Sequence, residues 1–497
     1  MTKQRVIAMK LYELTNILAS CRIEGNPETD IQSLEMDSRK VMEGALFFCI
    51  RGFTVDGHEF AKQAKSKGAV AFVTEKKLDV EGVQIIVNDS KRAMALMSAC
   101  FYDYPSSKMQ MIGVTGTNGK TTVTHFIQHL LKAAGKNAGM IGTMYTEMNG
   151  IKTDTLNTTP ESFVLQSLLH EMTNHRVDSV TMEVSSHALQ MGRVHGTDFD
   201  IGVYTNLSQD HLDYHKTMDQ YAYAKSLLFS RMGNAGNNDV QKRAVINIDD
   251  DYAEVMIGAC AVPVLTYGIH NACDFRAMDV VIKPGGVFFS VESAEGSFPV
   301  TLTMTGLFSV YNALAAFAAG YAAGLSCEFI AETLSDLPQV SGRFETVPSE
   351  PAPFQVIVDY AHTPESLRNV LETAKAANSS RLTVVFGCGG DRDKDKRPLM
   401  GAIAESLADK VFITSDNPRS EVPEMIIEDI LKGMQKENHQ VITDRKEAIY
   451  RAVCEAEEKE LILIAGKGHE SYQIIGDQTY DFNDRLVAIE AIKERYQ

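Results

Sequence analysis

Apolar positions between residues 111 and 135 change from a strand pattern to a helical one. Residues 111–114 form a short apolar run, and a polar stretch with several glycines and threonines follows it. Beyond that stretch, apolar side chains recur at intervals of three and four residues at Val123, Phe126, Ile127, Leu130, Leu131 and Ala134. Gly135 stands where a helix C-terminal cap belongs. This order predicts a strand, a tight loop and an amphipathic helix.

Short apolar runs alternate with amphipathic segments along the rest of the chain. The pattern predicts strands at 45–50, 69–74, 180–183, 201–204, 356–358, 382–386, 411–414 and 461–465. It predicts helices at 60–67, 221–229 and 312–323. Strands that alternate with helices predict an α/β fold with parallel, doubly wound sheets. In such sheets, ligands bind beyond the carboxyl ends of the strands.

The length of the chain, 497 residues, is too great for a single hydrophobic core. Residues 104–107 are typical of a linker, because they combine proline and two serines. A further unit begins near residue 341. We therefore predict three domains, at 1–107, 108–340 and 341–497.

Composition narrows the class of protein. A hydrophobic content of 44% and a charged content of 23% are typical of soluble globular proteins. The net charge of −17 argues against nucleic acid as a partner and against docking on anionic membranes. The eight cysteines are scattered without a C-x-x-C pair, which favours reduced thiols in the cytoplasm. We see neither a signal peptide nor an apolar run long enough to cross a membrane, and so expect a cytoplasmic protein.

The loop before the first helix has the chemistry of a phosphate site. It consists of Gly116, Thr117, Asn118, Gly119, Lys120, Thr121 and Thr122. Glycines let backbone N–H groups approach phosphates, Lys120 can reach the β- and γ-phosphates, and the Thr121 hydroxyl can ligate Mg²⁺. The loop is shorter than the usual G-x-x-x-x-G-K-[ST] pattern. A glycine turn entering an ordinary helix is the alternative, but the flanking strand and helix favour ATP binding.

Two residues at strand ends of the middle unit are candidate metal ligands. Glu183 ends one predicted strand, and His211 follows the next in a polar loop. Either residue alone reads more readily as an ordinary surface residue. Because both are expected at the sheet edge that carries the phosphate loop, we predict that they meet the Mg²⁺ held by Thr121.

Lys225 occupies an unusual position in the predicted helix 221–229. Tyr221, Leu228 and Phe229 are its neighbours at helical spacing, so it lies on the apolar face. A lysine that extends to the rim of such a face is the ordinary explanation. The sharper hypothesis is that burial lowers its pKa and leaves a nucleophilic amine, which can add CO₂ to form a carboxylate-like carbamate.

Four predicted strand-end loops in the C-terminal unit carry mixed charges. They span residues 359–364, 387–398, 416–419 and 466–470. Arginine, lysine, aspartate and glutamate side chains occur together in them. Such a mixture suits a zwitterion better than a uniform polyanion, because both signs need a partner.

These motifs together resemble the Mur ligase family. Within that family the chain is most similar to the branch that adds the third residue of the peptidoglycan stem peptide. The resemblance covers almost the whole chain and rests on motifs in a fixed order, at 36–39, 52–57, 113–122, 157–160, 183–187, 205–215, 221–229, 341–343, 359–364, 387–398, 416–419 and 466–470. It implies an N-terminal α/β UDP-binding domain, a central P-loop domain and a C-terminal Rossmann-like domain that binds the amino acid.

The resemblance also implies roles for individual residues. Ser38 and the loop 53–55 would contact the UDP end, and the muramoyl dipeptide would be held by Asn157, Thr158, Thr159, Ser185 and Arg193. Mg²⁺ would be bound by Thr121, Glu183, His211 and a carbamylated Lys225, and the nucleotide would be framed by Asn312, Arg343 and Asp359. The incoming amino acid would be held by Arg392, Asp416, Asn417, Pro418, Arg419, Gly466 and Glu470. Catalysis would involve Lys120, Glu183, His211 and Lys225.

Three features of the chain limit how far the roles of the family's residues carry over. Some relatives have glutamine near position 191, where this chain has Met191, so that contact is not transferred. In relatives the arginine of the 416–419 loop is commonly followed by the pattern x-Glu-Asp/Glu-Pro, and this chain has Val422 in place of the second acidic residue. We expect Val422 to tune the loop without choosing the substrate. Residues before Met9 are assigned no role.

The implied reaction joins UDP-N-acetylmuramoyl-L-alanyl-D-glutamate to meso-2,6-diaminopimelate at the expense of ATP, in a monomeric enzyme. Diaminopimelate is favoured because relatives that use it carry Asp-Asn-Pro-Arg at 416–419, whereas lysine-adding relatives lack the arginine. The alternatives are the lysine-adding version, another Mur or folylpolyglutamate-type ligase, or, in a different class, a P-loop regulatory ATPase.

Overall fold

Three separate sheets organise the chain in the computed structural model, which describes residues 8–52, 55–155, 157–233, 241–283, 285–377 and 380–496. Helices cover these sheets, and the expected α/β class is confirmed. The sheets follow one another along the sequence and contain five, eleven and six strands.

The N-terminal sheet has the strand order β2-β7-β6-β5-β4, in which all neighbours are parallel except β2 and β7. Its region contains β1 (Met9–Lys10), α1 (Leu11–Thr15), β2 (Arg22–Glu24), β3 (Asp30–Ile31), β4 (Ser33–Glu35), β5 (Ala45–Phe48), α2 (Ala61–Ser66), β6 (Ala69–Thr74), β7 (Val83–Ile86) and α3 (Ser90–Phe101). The stretch predicted as a linker contains a 3₁₀ helix, Pro105–Lys108, in which Pro105 and Ser106 are buried. The Ser106 hydroxyl accepts a hydrogen bond from the Asp198 N–H, so this junction is packed against the next unit.

The middle sheet has the order β11-β10-β9-β12-β8-β13-β14-β15-β16-β17-β18. Its elements are β8 (Gln110–Thr115), α4 (Lys120–Ala133), β9 (Ala138–Ile141), β10 (Thr146–Met148), β11 (Ile151–Thr153), α5 (Ser162–Asn174), β12 (Ser179–Glu183), α6 (Ser186–Gln190), β13 (Ile201–Tyr204), α7 (Leu212–His215), α8 (Met218–Ser230), β14 (Arg243–Asn247), α9 (Ala253–Ala259), β15 (Val264–Gly268), β16 (Phe275–Lys283), β17 (Gly286–Ser293), β18 (Gly296–Leu302), α10 (Leu307–Ala322) and α11 (Cys327–Leu334). The predicted strand, loop and helix around residue 115 are confirmed as β8 and α4.

Parallel pairing holds in the centre of the middle sheet but not at its ends. Strands β9, β12, β8, β13, β14, β15 and β16 pair in parallel, whereas β10 and β11 at one end and β17 and β18 at the other pair antiparallel. In β17, the buried side chains of Val287, Phe289 and Val291 alternate with more exposed ones. This period of two suits a sheet with one solvated face. The predicted parallel pairing is therefore confirmed for the centre of this sheet, and the strands at its two ends depart from it.

Helix α10 begins earlier than predicted, at Leu307 instead of Asn312. Its small residues from Ala313 to Ala319 are buried and pack close to α4. Asn312 consequently lies one turn inside the helix, beside the phosphate loop. Cβ built on Gly119 would come within 2.5 Å of the Asn312 Oδ1 atom.

The C-terminal sheet has the order β19-β20-β24-β21-β22-β23, and only β19 pairs antiparallel among its described strands. The elements are β19 (Glu345–Val347), β20 (Gln355–Asp359), α12 (Pro364–Ala377), β21 (Arg381–Phe386), α13 (Lys396–Leu407), β22 (Lys410–Ile413), α14 (Pro423–Leu431), β23 (His439–Val441), α15 (Arg445–Glu455), β24 (Glu460–Ala465), β25 (Tyr472–Ile475), β26 (Gln478–Asp481) and α16 (Asp484–Tyr496). The four charged loops follow β20, β21, β22 and β24. They therefore share one edge of the sheet, as predicted.

Across the described ranges, no helix combines the length and apolar character that crossing a bilayer requires. All eight cysteines are free thiols. Burial raises the pKa of the Cys388 thiol to about 12 and that of Cys49 to about 12, so these side chains behave as small apolar residues.

Candidate nucleotide and acceptor site

A cavity of about 760 Å³ lies between the carboxyl edge of the middle sheet and that of the C-terminal sheet. Many predicted site residues line it: Thr117, Asn118, Gly119, Lys120, Thr121, Thr122, Thr158, Glu183, Ser185, His211, Asn312, Arg343, Asp359, Arg392, Asp416, Asn417, Arg419, Gly466 and Glu470. Within the described part of the chain, the predicted residues that do not line it are Ser38, Gly116, Asn157, Thr159, Arg193, Lys225 and Pro418. The fold thus brings two separate groups of motifs to one volume.

The phosphate loop is held in shape by contacts that only glycine permits. Gly116 has a φ of +150°, and a Cβ there would lie 1.8 Å from the Thr205 hydroxyl oxygen. The Thr205 hydroxyl donates to the Asn118 carbonyl at 2.7 Å. Lys120 donates from Nζ to the carbonyl oxygens of Gly116 and Thr117 at 3.0 and 2.8 Å. Burial lowers the pKa of Lys120, and the nearby carboxylates of Glu183 and Asp210 oppose that shift.

Two side-chain oxygen groups that could ligate a metal ion, those of Thr121 and Glu183, lie in contact at the end of the phosphate loop. The Thr121 hydroxyl donates to Glu183 Oε2 at 2.9 Å, and the Thr143 N–H donates to Glu183 Oε1 at 2.8 Å. Arg343, from the C-terminal unit, donates from Nη2 to the Thr121 oxygen at 3.0 Å. One carboxylate and one hydroxyl beside a phosphate loop fit Mg²⁺, which protein sites bind through few side chains together with substrate phosphates.

His211 lines the same cavity and has a left-handed backbone conformation, with a φ of 55°. Its Nε2 atom is 3.3 Å from Asp210 Oδ2. Burial lowers the pKa of His211 to about 3, although Asp210 opposes that shift. A neutral imidazole is the form that can ligate a metal. Among the residues described, however, no three His, Cys, Asp or Glu side chains form a cluster suited to a metal ion.

Asp210 is a site residue that the sequence reasoning missed. Its buried carboxylate lies 3.6 Å from Lys396 Nζ and 3.8 Å from His362 Nε2, both in the C-terminal unit. Burial opposes its ionisation, but His211, Lys396 and His362 hold the pKa of Asp210 well below its usual value. Its place beside His211 was visible in the sequence, whereas its two partners lie more than a hundred residues away.

Lys225 lies on the apolar face of α8, as the helical spacing predicted, and with 1% of its surface exposed it does not extend to the rim. Its Nζ atom donates to the Gly116 carbonyl at 2.7 Å and lies 4.4 Å from the centre of the Tyr221 ring. Burial lowers the pKa of Lys225 well below its ordinary value, and the positive charge of Lys120 adds to this shift. The side chain therefore touches the phosphate loop from behind the cavity.

The residues expected to hold the muramoyl dipeptide partly converge at the end of β12. The Thr159 hydroxyl donates to the Glu183 carbonyl at 2.8 Å, and the Ser185 N–H donates to the Thr159 hydroxyl at 3.0 Å. Arg193 donates from Nη1 to the Thr159 carbonyl at 3.1 Å. Ser38 is remote in sequence, buried in the N-terminal unit with its hydroxyl bonded to Gln63. In the loop 53–55, residues 53 and 54 lie outside the described residues.

Two residues of the C-terminal unit close the nucleotide side of the cavity. Asp359 accepts hydrogen bonds at 2.7 Å from the N–H groups of Phe344 and Ala361. Burial raises the pKa of Asp359, and the charge of Arg343 opposes that shift. The Arg343 guanidinium lies 4.5 Å from the centre of the Tyr360 ring, which fixes its direction toward Thr121.

The four C-terminal loops form a pocket with both signs of charge. Arg419 has a φ of 52° and donates from Nη1 to the Gly390 carbonyl at 2.8 Å. Burial lowers the pKa of Arg419, and the charge of Arg392 adds to this shift. Across the pocket, Asn417 Nδ2 donates to Glu470 Oε2 at 2.8 Å. The pocket therefore offers the guanidinium groups of Arg392 and Arg419 together with the carboxylates of Asp416 and Glu470.

Lys467 is a second residue that the sequence reasoning left unassigned. It is fully buried, and its Nζ atom donates to Asn417 Oδ1 at 3.0 Å and to Glu470 Oε2 at 2.9 Å. Gly466 and Glu470 had marked this loop as part of the site. The sequence around Lys467, a lysine between two glycines, does not indicate where its side chain lies. Lys467 thus holds the Oε2 atom of Glu470, and Oε1 is the oxygen that Lys467 does not bond.

Glu421 supports the same loops from outside the cavity. It accepts hydrogen bonds from Arg397 Nη2 at 2.8 Å and from the Asp391 N–H at 2.7 Å. The Arg397 hydrogen bond is the main reason that the pKa of Glu421 is lowered from 4.5 to about 2. The adjacent Val422 side chain is half exposed.

We expect Glu421→Gln to destabilise the protein by about 1–2 kcal/mol near neutral pH, because a partly screened charge-assisted pair is lost. A lowered carboxylate pKa adds stability above the unfolded-state pKa, and that stability is lost as pH falls through the folded-state value. The difference in melting temperature between wild type and variant should shrink as pH falls from 4.5 to about 2. Glu437→Gln, at an exposed position, is the control. An effect of Glu421→Gln that is independent of pH contradicts the assignment.

Comparison with protein-family models finds three matches in sequence order. The Mur ligase family catalytic domain matches residues 30–100, the Mur ligase middle domain matches 114–320, and the Mur ligase glutamate ligase domain matches 342–468. The middle match begins at the end of β8 and contains the phosphate loop, Glu183, His211 and Lys225. The third match contains three of the four charged loops, at 359–364, 387–398 and 416–419, and ends at residue 468 within the fourth.

Curated proteins and solved structures resemble the chain over nearly its full length. It is 49% identical over 487 residues to a UDP-N-acetylmuramoyl-L-alanyl-D-glutamate–2,6-diaminopimelate ligase of Bacillus velezensis, covering 98% of this chain and 99% of that protein. A ligase of the same name from Halalkalibacterium halodurans is 50% identical over 494 residues, 98% of this chain and 100% of that protein. A solved structure of a ligase with this name is 33% identical, with a TM-score of 0.69 over 99% of this chain and 100% of that chain.

Proposed function

This chain belongs to the Mur ligase family, and from that premise we propose that it adds meso-2,6-diaminopimelate to UDP-N-acetylmuramoyl-L-alanyl-D-glutamate. The reaction consumes ATP and serves the synthesis of peptidoglycan precursors. One observation carries the proposal: a phosphate loop and a pocket of mixed charge open into the same cavity. A ligase needs both, because a phosphorylated acid and an amine must meet there.

The nucleotide end of the proposed site is built to neutralise phosphate charge. Lys120 and Arg343 supply positive charge, and α4 begins at Lys120, so the first backbone N–H groups of the helix belong to the phosphate loop. Thr121, Glu183 and His211 would hold Mg²⁺, with Lys225 as a further ligand once carbamylated. When bound, Mg²⁺ offsets negative charge on the phosphates. Asn312, Arg343 and Asp359 would then frame the nucleotide.

The proposed reaction has two steps. A γ-carboxylate oxygen of D-glutamate attacks the γ-phosphorus of ATP, the bond to the bridging oxygen breaks, and ADP leaves. The amine of the incoming amino acid then attacks the acyl carbon, loses a proton, and expels inorganic phosphate to form the amide. Lys120 and Arg343 stabilise the charge that develops on the transferred phosphoryl group.

The C-terminal unit would hold the incoming amino acid and exclude water. Contacts across the cavity already join the two units, since Arg343 bonds Thr121 and Asn118 Nδ2 donates to Glu365 at 3.3 Å. Such closure protects an acyl phosphate from hydrolysis. The arginines 392 and 419 would pair a carboxylate, and Glu470 the distal ammonium.

The proposal also includes the domain boundaries, the oligomeric state and the cellular location. Domain boundaries at 1–107, 108–340 and 341–497 remain a prediction, as does a monomeric state. A cytoplasmic location is supported by the free thiols and by substrates that are nucleotide-linked. The names of the curated relatives favour diaminopimelate over L-lysine.

Phosphate release tests the proposal. The purified protein is incubated with ATP and Mg²⁺, with each acceptor alone, and with both. We expect release that requires both the UDP-muramoyl dipeptide and diaminopimelate, with the UDP-muramoyl tripeptide as product. Rapid release from ATP alone would instead support a regulatory ATPase and overturn the ligase assignment.

A further inference from the structure

A buried ion pair lies beneath the pocket of mixed charge. Arg445 donates from Nε to Asp484 Oδ1 at 2.8 Å and from Nη2 to Asp484 Oδ2 at 2.7 Å. Both side chains are fully enclosed. Arg445 begins α15, and Asp484 begins α16. The pair therefore ties the starts of two helices together at the carboxyl edge of the C-terminal sheet.

The same guanidinium also bonds two backbone carbonyls. Its Nη2 atom donates to the Ala465 carbonyl at 3.0 Å, and its Nη1 atom donates to the Ser415 carbonyl at 3.4 Å. Ala465 directly precedes Gly466, and Ser415 directly precedes Asp416. Arg445 consequently holds the residue that directly precedes each of two loops that line the cavity.

The position of these two loops in the sheet explains why a side chain is needed between them. Loop 416–419 follows β22 and loop 466–470 follows β24, and β21 lies between those strands. Strands β22 and β24 share no direct ladder, and their ladders to β21 end at Ile413 and Ile464, before the two loops begin. Asn417, Lys467 and Glu470 connect the loops further into the pocket. Arg445 connects them at their base.

We propose that the Arg445–Asp484 pair is a positioning element that sets the distance between the 416–419 and 466–470 loops and so the affinity for the incoming amino acid. This inference rests on the proposed function, because it takes those loops as the amino-acid pocket. Neither residue lines the cavity. Asp484 fixes the guanidinium, and the guanidinium fixes the loops.

Two variants separate positioning from folding. Replacing one partner alone leaves a buried charge, whereas replacing both with apolar residues of similar size is often neutral for stability. The double variant Arg445→Met/Asp484→Leu therefore removes the four hydrogen bonds while keeping the core filled. Arg445→Lys keeps the charge but cannot bond the carboxylate and both carbonyls in the same fork geometry.

We expect both variants to raise the KM for diaminopimelate about 10–100-fold, the size of effect expected when a binding group is displaced by about 1 Å. The KM for ATP should remain near its wild-type value, and kcat at saturating amino acid should fall much less than KM rises. Melting temperature is measured alongside. Arg445→Lys should lie closer to wild type than the double variant.

Glu460→Gln is the matched control, because Glu460 is a buried carboxylate at the opposite end of β24, hydrogen-bonded to Thr383. It should leave the amino-acid KM unchanged. Folded Arg445 variants with a wild-type KM for diaminopimelate, or with an equal rise in the KM for ATP, overturn the inference. A wild-type enzyme that ligates nothing refutes the proposed function instead, so the two failures are distinguishable.

Discussion

Lys225→Ala is expected to abolish almost all ligation while leaving the protein folded. The lysine is buried against the phosphate loop, where its amine donates to the Gly116 carbonyl. Desolvation lowers its pKa, so a neutral amine is available to attack CO₂. Attack forms an N–C bond with loss of one proton, and the product is a carbamate. The proposed carbamate supplies a carboxylate beside the residues that would hold Mg²⁺.

The size of the effect follows from the charge that the carbamate would bring. Without it, a negative ligand is missing where two anionic substrates and a divalent cation must be held together. Loss of one such preorganised electrostatic contact commonly lowers kcat about 10²–10³-fold. Removal of the lysine also leaves space beside Tyr221, which lies 4.4 Å from the amine.

Chemical rescue provides the decisive measurement for Lys225. Formate or acetate should partly restore the activity of Lys225→Ala, because a small carboxylate can occupy the space left by the carbamate. Lys225→Arg is the control, since it keeps a cation, cannot be carbamylated and leaves no space for rescue. Intact-protein mass spectrometry at high bicarbonate should detect the added mass of one CO₂ in wild type alone. A fully active Lys225→Ala enzyme contradicts the assignment.

The residues around position 115 show which features local sequence can predict. The spacing of apolar residues in α4 and the glycines before it are constraints within a few turns of chain, so strand, loop and helix follow directly. The place of Lys225 on the apolar face of α8 was predictable for the same reason, because Tyr221, Leu228 and Phe229 surround it at helical spacing. Its full burial was not, because the same spacing also fits a lysine that extends to the rim. The expectation that charged loops share a sheet edge followed from the parallel strands before them.

Other features depend on how distant units pack. Asp210 meets Lys396 and His362 only because the middle and C-terminal sheets face each other across the cavity. Arg445 reaches Ser415 and Ala465 through the packing of α15 against the sheet. Nothing within a few residues of either side chain encodes those distances. The alternation of buried and exposed side chains in β17 is also a local pattern, but the prediction of parallel sheets did not single this segment out as antiparallel.

We expect the enzyme to use meso-2,6-diaminopimelate in strong preference to L-lysine. The two amino acids differ by one carboxylate at the distal end, and Arg419 lies beside Arg392 in the proposed pocket. A guanidinium fork binds such a carboxylate bidentately. L-Lysine would leave the partly buried Arg419 without that partner. The expected discrimination is about 2–5 kcal/mol in kcat/KM.

Arg419→Ala tests which group makes this choice. The variant should lose most of its kcat/KM for diaminopimelate, whereas its kcat/KM for L-lysine should change little. The preference would then be lost because diaminopimelate is used less well. Val422→Glu is the matched control, because Val422 lies three residues away with an exposed side chain and should leave the preference intact. Kinetics are compared for both amino acids at saturating ATP and UDP-muramoyl dipeptide. Equal or better use of L-lysine by wild type refutes the preference, and unchanged diaminopimelate kinetics in Arg419→Ala refute the role of the arginine.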